Sequence, residues 1–163
     1  MKKQFFLSVL LIAGSFVSFA QFQQAAYSVH LVDPKTYEAK DIASASVKML
    51  FHEQYPNANE EAWAQTGKGF LVSFTSGAIQ YNVFLNKKGV MTSQVRTYTE
   101  SFLPSAVRNQ INDAYGRVVI SSVKEVTTKG LTAYLVTITS HQSWKVLRLT
   151  PEDTEVVEEY KKG

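Results

Sequence analysis

The three histidines, His30, His52 and His141, fall in separate segments. None has a partner at i,i+4 and none sits in an HExxH pattern, so they form no metal-binding pair. Asp41, Asp113 and Asp153 can be joined to them and to serines only on paper. No Gly-x-Ser-x-Gly elbow is present to raise a nucleophile. Paired carboxylates occur at Glu60-Glu61, Glu152-Asp153 and Glu158-Glu159. Neighbours on a strand point to opposite faces, and in loops they face water, so these pairs do not converge for acid–base work. Gly67-Lys68-Gly69 lacks the remaining glycines and the Lys-Ser end of a phosphate loop and reads as a turn. With no cysteine in the chain, disulfides and thiolate metal sites are excluded. The expectation is a non-enzymatic protein with no catalytic residue, metal or cofactor.

The N-terminus places the protein. Met1-Lys2-Lys3 precedes an apolar run from Phe5 to Ala13, and small residues Ser18 and Ala20 come after it. A basic start, a short apolar core and a small-residue end make a secretory signal over residues 1–20, with cleavage expected after Ala20. The apolar stretch is shorter than the ~20 residues that cross a bilayer. The expected location is the periplasm, or the exterior after release, with no membrane insertion once the signal is removed. Lys2 and Lys3 leave with it, so 15 basic side chains then face 14 acidic ones. A net charge near +1, with its lysines interleaved among glutamates, argues against nucleic acid as a partner.

Residues 21–41 read as a linker with a short strand at Tyr27, Val29 and Leu31, ended by Asp33-Pro34. Residues 42–163 read as one domain. Val47, Phe51, Tyr55 and Trp63 stand opposite Val107, Ile111, Tyr115 and Val123, each pair 60 residues apart. A constant offset across a helix and the segment after it marks an internal repeat, with units 42–100 and 101–163. In the first, a helix opens near Asp41 or Ser44, carries Val47, Leu50, Phe51, Gln54 and Tyr55 on one stripe, and stops at Pro56. Strands are expected at Phe70–Phe74, Ile79–Val83 and Val90–Tyr98, with turns at Ser76-Gly77 and Lys87-Lys88-Gly89. In the second, Pro104 falls in the first turn of a helix that carries Leu103, Val107, Ile111, Ala114 and Tyr115 on its stripe and that Gly116 caps. Strands are expected at Val118–Val126, Thr132–Thr139 and Trp144–Leu149, with a last one from Glu155 to Tyr160. Tyr134, Val136 and Ile138 take the parts of Phe70, Val72 and Phe74; Trp144 and Val146 match Tyr81 and Val83 at an offset of 63. The fold class is α+β: tandem helix-plus-three- or four-strand units, an antiparallel sheet with two helices on one face. Whether the units share one sheet stays open at this level.

Phe51-x-x-x-Tyr55-Pro56-Asn57-Ala58, then Trp63, an aromatic-rich strand pair, and Leu103-Pro104 opening a helix that ends at Tyr115 resemble the PepSY-like, β-lactamase-inhibitor-like periplasmic proteins of Bacteroidetes, over roughly residues 42–160. The resemblance implies a fold in which a sheet face can clamp a protein. Members of that family are similar in fold to a secreted inhibitor that clamps β-lactamase, is stapled by disulfides and inserts an acidic hairpin turn into the enzyme's pocket, whereas this chain has no cysteine and its comparable turns, Ser76-Gly77 and Lys87-Lys88-Gly89, hold no carboxylate.

Aromatics are numerous: ten Phe, eight Tyr and two Trp. Phe51, Tyr55, Phe70 and Phe74 take core positions. Tyr81, Phe84, Tyr98, Tyr134, Trp144 and Tyr160 exceed what so small a core can hold, so exposed rows of them on the sheet are expected to anchor a partner. The function expected is an exported binding module, acting on an envelope protein or peptide through its sheet face. The alternative is a carrier of small apolar ligands in a pocket between helices and sheet. Oligomeric state is not legible.

Overall fold

Ser44 starts the first helix: its backbone is extended and its Oγ accepts the Val47 N–H at 3.4 Å, satisfying one of the free donors of the first turn. The helix, α1, runs Ala45–Gln54 and ends where the Tyr55 N–H reaches the Phe51 carbonyl, one residue before Pro56. The computed structural model describes residues 42–141 and 143–161; the expected signal over 1–20 and the expected linker and strand over 21–41 lie outside these. Eight strands come next, with a second helix midway: β1 Asn59–Thr66, β2 Gly69–Ser76, β3 Ile79–Asn86, β4 Met91–Tyr98, α2 Ser105–Tyr115, β5 Val119–Thr128, β6 Leu131–Thr139, β7 Ser143–Leu149 and β8 Thr154–Lys161. They form one eight-stranded sheet in the order β1 to β8, antiparallel at every step. The order of one helix and four strands thus occurs twice.

Both helices lie on the same face, each over its own apolar cluster. Val47 and Phe51 pack on Trp63, Phe70, Val72, Phe74, Val83 and Leu85. Val107 and Ile111 pack on Tyr98, Val123, Val136, Ile138, Leu147 and Leu149. Tyr81 touches both clusters and joins them. Gly116, at φ +69, ends α2 with its N–H on the Asn112 carbonyl at 2.8 Å. Pro104 stands at the capping position, one residue ahead of the first turn.

Three readings of the sequence are corrected. Leu50 and Gln54 of α1 and Ala114 of α2 are not on the buried stripes: Leu50 is 43% exposed and Gln54 and Ala114 face solvent, because the buried edges of these short helices are Val47–Phe51 and Val107–Ile111. Each half has four strands, since Asn59–Thr66 adds an edge strand; it buries one large residue, Trp63, and is broken by a bulge at Glu60, whose φ is +56. Trp144 and Val146 are not the counterparts of Tyr81 and Val83. Val83 pairs with Val72 and Leu147 with Val136, so the matching offset is 64, and Trp144 points away from the helices.

Candidate functional site

The residues with chemical potential are held apart. His52, exposed on α1, places Nδ1 3.4 Å from Glu61 Oε1, while Glu61 Oε2 accepts the Trp63 indole N–H at 3.0 Å. This ties α1 to β1; among the described residues no hydroxyl bonds to His52. His141 is exposed in the β6–β7 turn, Asp113 on α2, and Asp153 in the β7–β8 turn, 3.8 Å from Arg148. His30 and Asp41 lie outside the described residues. Glu158 and Glu159 project to opposite faces of β8, Glu159 meeting Lys145 at 3.3 Å on the helix side. Among the described residues no group of three or more His, Cys, Asp or Glu is placed to hold a metal ion.

A polar cluster stands on the helix side where the halves join. Arg96 of β4 and Glu125 of β5 are cross-strand partners, with Nη1 at 3.0 Å from Oε1. Glu125 Oε2 also accepts the Tyr98 hydroxyl at 2.6 Å. The guanidinium lies 5.7 Å from the Tyr81 ring centre and 5.5 Å from that of Tyr98, close enough for cation–π attraction. Tyr55, at the end of α1, donates to Gln94 Oε1 at 2.6 Å. Burial first, then the Glu125 hydrogen bond, raises the Tyr98 pKa above its ordinary value; burial likewise raises those of Tyr55 and Tyr134. These neighbours favour the neutral phenols. The arrangement clamps the two halves together.

The opposite face is free of helices among the described residues. Strand alternation sends Lys124, Leu135, Val146, Trp144, Phe84 and Thr97 to it. A seam of Asn82, Val95, Val126 and Ala133, in register across β3 to β6, is buried. Toward the β7–β8 edge the face opens. Trp144 and Tyr160, opposite each other in the ladder, stack with ring centres 4.0 Å apart and planes 13° apart, and Tyr160 is 49% exposed. Their row continues to Thr139 and Val119, which help line a shallow cavity of about 420 Å³ beside Arg117 and His141.

The aromatic residues expected to anchor a partner are therefore divided. Tyr98 is buried, and Tyr81 and Tyr134 are half-buried on the helix side; Phe84, Trp144 and Tyr160 are on the free face. The sequence reading missed the Arg96–Glu125 clamp. Only the register β4–β5 brings the two together; the lone alternating sign of Lys124-Glu125 hints that one charge goes to each face.

No family model and no curated protein matches the sequence. Solved structures do. A BLIP-like protein from Bacteroides fragilis superposes with a TM-score of 0.55 over 80% of this chain and 92% of its own, at 18% identity. The fold is that of the BLIP-like proteins. A DUF2874 family protein from Bacteroides ovatus matches at TM-score 0.55 and 20% identity, over 75% of this chain and 89% of its own. A third, from Bacteroides eggerthii and provisionally described as periplasmic, matches at 0.54 and 19%, over 73% and 88%. At this identity the similarity establishes the BLIP-like architecture and leaves the chemistry of each face to be read from this chain.

Proposed function

We propose that this protein is a non-enzymatic binding module of the periplasm that engages an envelope protein or peptide with the sheet face opposite helices α1 and α2. The observation that carries the reading is the stacked Trp144–Tyr160 pair, held partly in solvent on that face, in the same row as Thr139 and Val119 of the shallow cavity. Large aromatics account for much of the energy of protein interfaces, and a monomer has no folding need to stand two of them at an edge. Location rests on the signal pattern of residues 1–20 and on the description of the Bacteroides eggerthii structure. The recurring helix-plus-four-strand order and the 60-residue offset support a tandem duplication as the origin of the broad sheet.

The carrier alternative draws no support from the helix–sheet interior. Phe51 packs edge-on against Trp63 and Phe74, with centroids at 5.1 and 5.2 Å, and Phe74 stacks on Tyr81 at 4.8 Å, so side chains fill that space.

The test is retention of envelope proteins on the immobilised full chain and on a Trp144→Ala/Tyr160→Ala double variant of equal thermal stability. We expect a protein retained by the parent and lost by the variant. Repeated recovery of the same proteins by both, or of none at micromolar concentration, refutes the reading.

A further inference from the structure

We infer that the partner presents an acidic peptide segment, and that Lys124 receives its carboxylate; this rests on the binding role proposed for the free face. Lys124 sits in a row that crosses the sheet through Gln80, Thr97, Lys124, Leu135, Arg148 and Glu155. From β2 to β7 this face carries two charged side chains, Lys124 and Arg148, and both are cations. Arg148 is neutralised by Glu155 and by Asp153. Lys124 has neither an ion pair nor a hydrogen bond among the described residues, although it is half-buried between Thr97 and Leu135. The face's own carboxylates, Glu155 and Glu158, are on β8, three strands away. At about 4.8 Å per strand that is roughly 14 Å, beyond the ~8 Å screening length of physiological salt.

A lysine whose stem is packed into the sheet and whose charge has no counter-ion is placed to pair with a partner's carboxylate, and such a pair also selects among partners. Its surroundings indicate what brings the carboxylate. Gln80 and Thr97 offer hydrogen-bonding side chains on one flank, and Leu135 and Val146 offer half-buried apolar surface on the other, the mixture of a protein interface. A polyphosphate chain would call for a stripe of cations to replace its counter-ions, and among the described residues of β2 to β7 this face presents one uncompensated cation. The strand itself shows the division of labour: Glu125, the next residue, is turned to the helix side and spent on Arg96.

The experiment is an NMR titration of the isotope-labelled full chain with two acetylated octapeptide amides, (Ala-Glu)4 and (Ala-Gln)4, and with a thymidine octanucleotide. We expect the Glu peptide to bind about tenfold more tightly at low salt, the size of one interfacial charge contact. Its shifts should centre on Thr97, Lys124 and Leu135. Lys124→Gln should abolish the preference and Lys124→Arg should keep it, at unchanged melting temperature. Equal binding of both peptides at this face overturns the inference and leaves the binding role standing. Shifts elsewhere, no shifts, a preference that survives Lys124→Gln, or tighter binding of the oligonucleotide also overturn it. Failure of the binding role itself is read separately, in the retention experiment.

Discussion

Glu125 is the residue on which the junction of the two halves turns. It is 12% exposed and accepts from both Arg96 and Tyr98, so removing its charge strands a largely buried guanidinium. Because Arg96 keeps 29% of its surface in water, part of that cost is screened. Glu125→Gln is expected to lower the unfolding free energy by about 2 kcal/mol, measured by urea denaturation. The tyrosines around it set a pH response. Tyr98, Tyr55 and Tyr134 bind their phenolic protons more tightly folded than at the ordinary pKa of 10.0, burial being the largest cause in each. Above pH 10 the unfolded chain gives up these protons first, so the stabilisation is complete below pH 10 and is lost as pH rises toward the higher folded values. Urea midpoints should fall between about pH 10 and 11.5, while tyrosinate absorbance of the native protein lags that of the unfolded chain. Coincident absorbance curves would refute the raised values.

Among the elements, the β2–β3 hairpin has the least room for change. A Cβ on Gly69 would overlap the Leu85 carbonyl oxygen and the backbone of Asn86, which no rotamer can avoid. Gly69→Ala should therefore cost about 2 kcal/mol or more through backbone displacement, seen as a drop in melting temperature. Gly77, with open space around the same added atom, is the control for steric overlap, although its φ of +59 still favours glycine. The helices show how much of an element a sequence can reveal. The Val47–Phe51 and Val107–Ile111 pairs are buried as their spacing requires. Leu50 has the same helical spacing and stays exposed, since periodicity defines a stripe but not how wide a sheet will cover it. Strand β1 was illegible for a related reason. An edge strand with one large buried residue and a bulge has no alternation to read until its partner is known.

At the scale of the molecule, two apolar clusters under two helices share one sheet, with Tyr81 and the Arg96–Glu125 clamp between them. Phe51 and Ile111 hold corresponding places, 1% and 0% exposed. Either change to alanine is expected to cost about 3–5 kcal/mol. Because one sheet runs through both halves, each variant should unfold in a single transition; two resolved transitions in calorimetry would show halves that fold separately. Among the described residues both helices lie on one face, and recognition is expected on the other, at the row of Lys124 and at the separate row of the Trp144–Tyr160 stack.

The amino-acid sequence by itself determined the α+β class, both helices, the hairpin turns at Ser76-Gly77 and Lys87-Lys88-Gly89, and most of the core, because these arise from local periodicity and from the conformations glycine and proline permit. Only the tertiary structure decided that the halves form one sheet, that Arg96 meets Glu125, and which face Trp144 looks toward. These depend on register between strands, and a slip of one residue sends every side chain to the other side of the sheet. An offset of 63 in place of 64 matched Trp144 to Tyr81 on the helix side; the ladder turns it to the other side, onto the face proposed to bind.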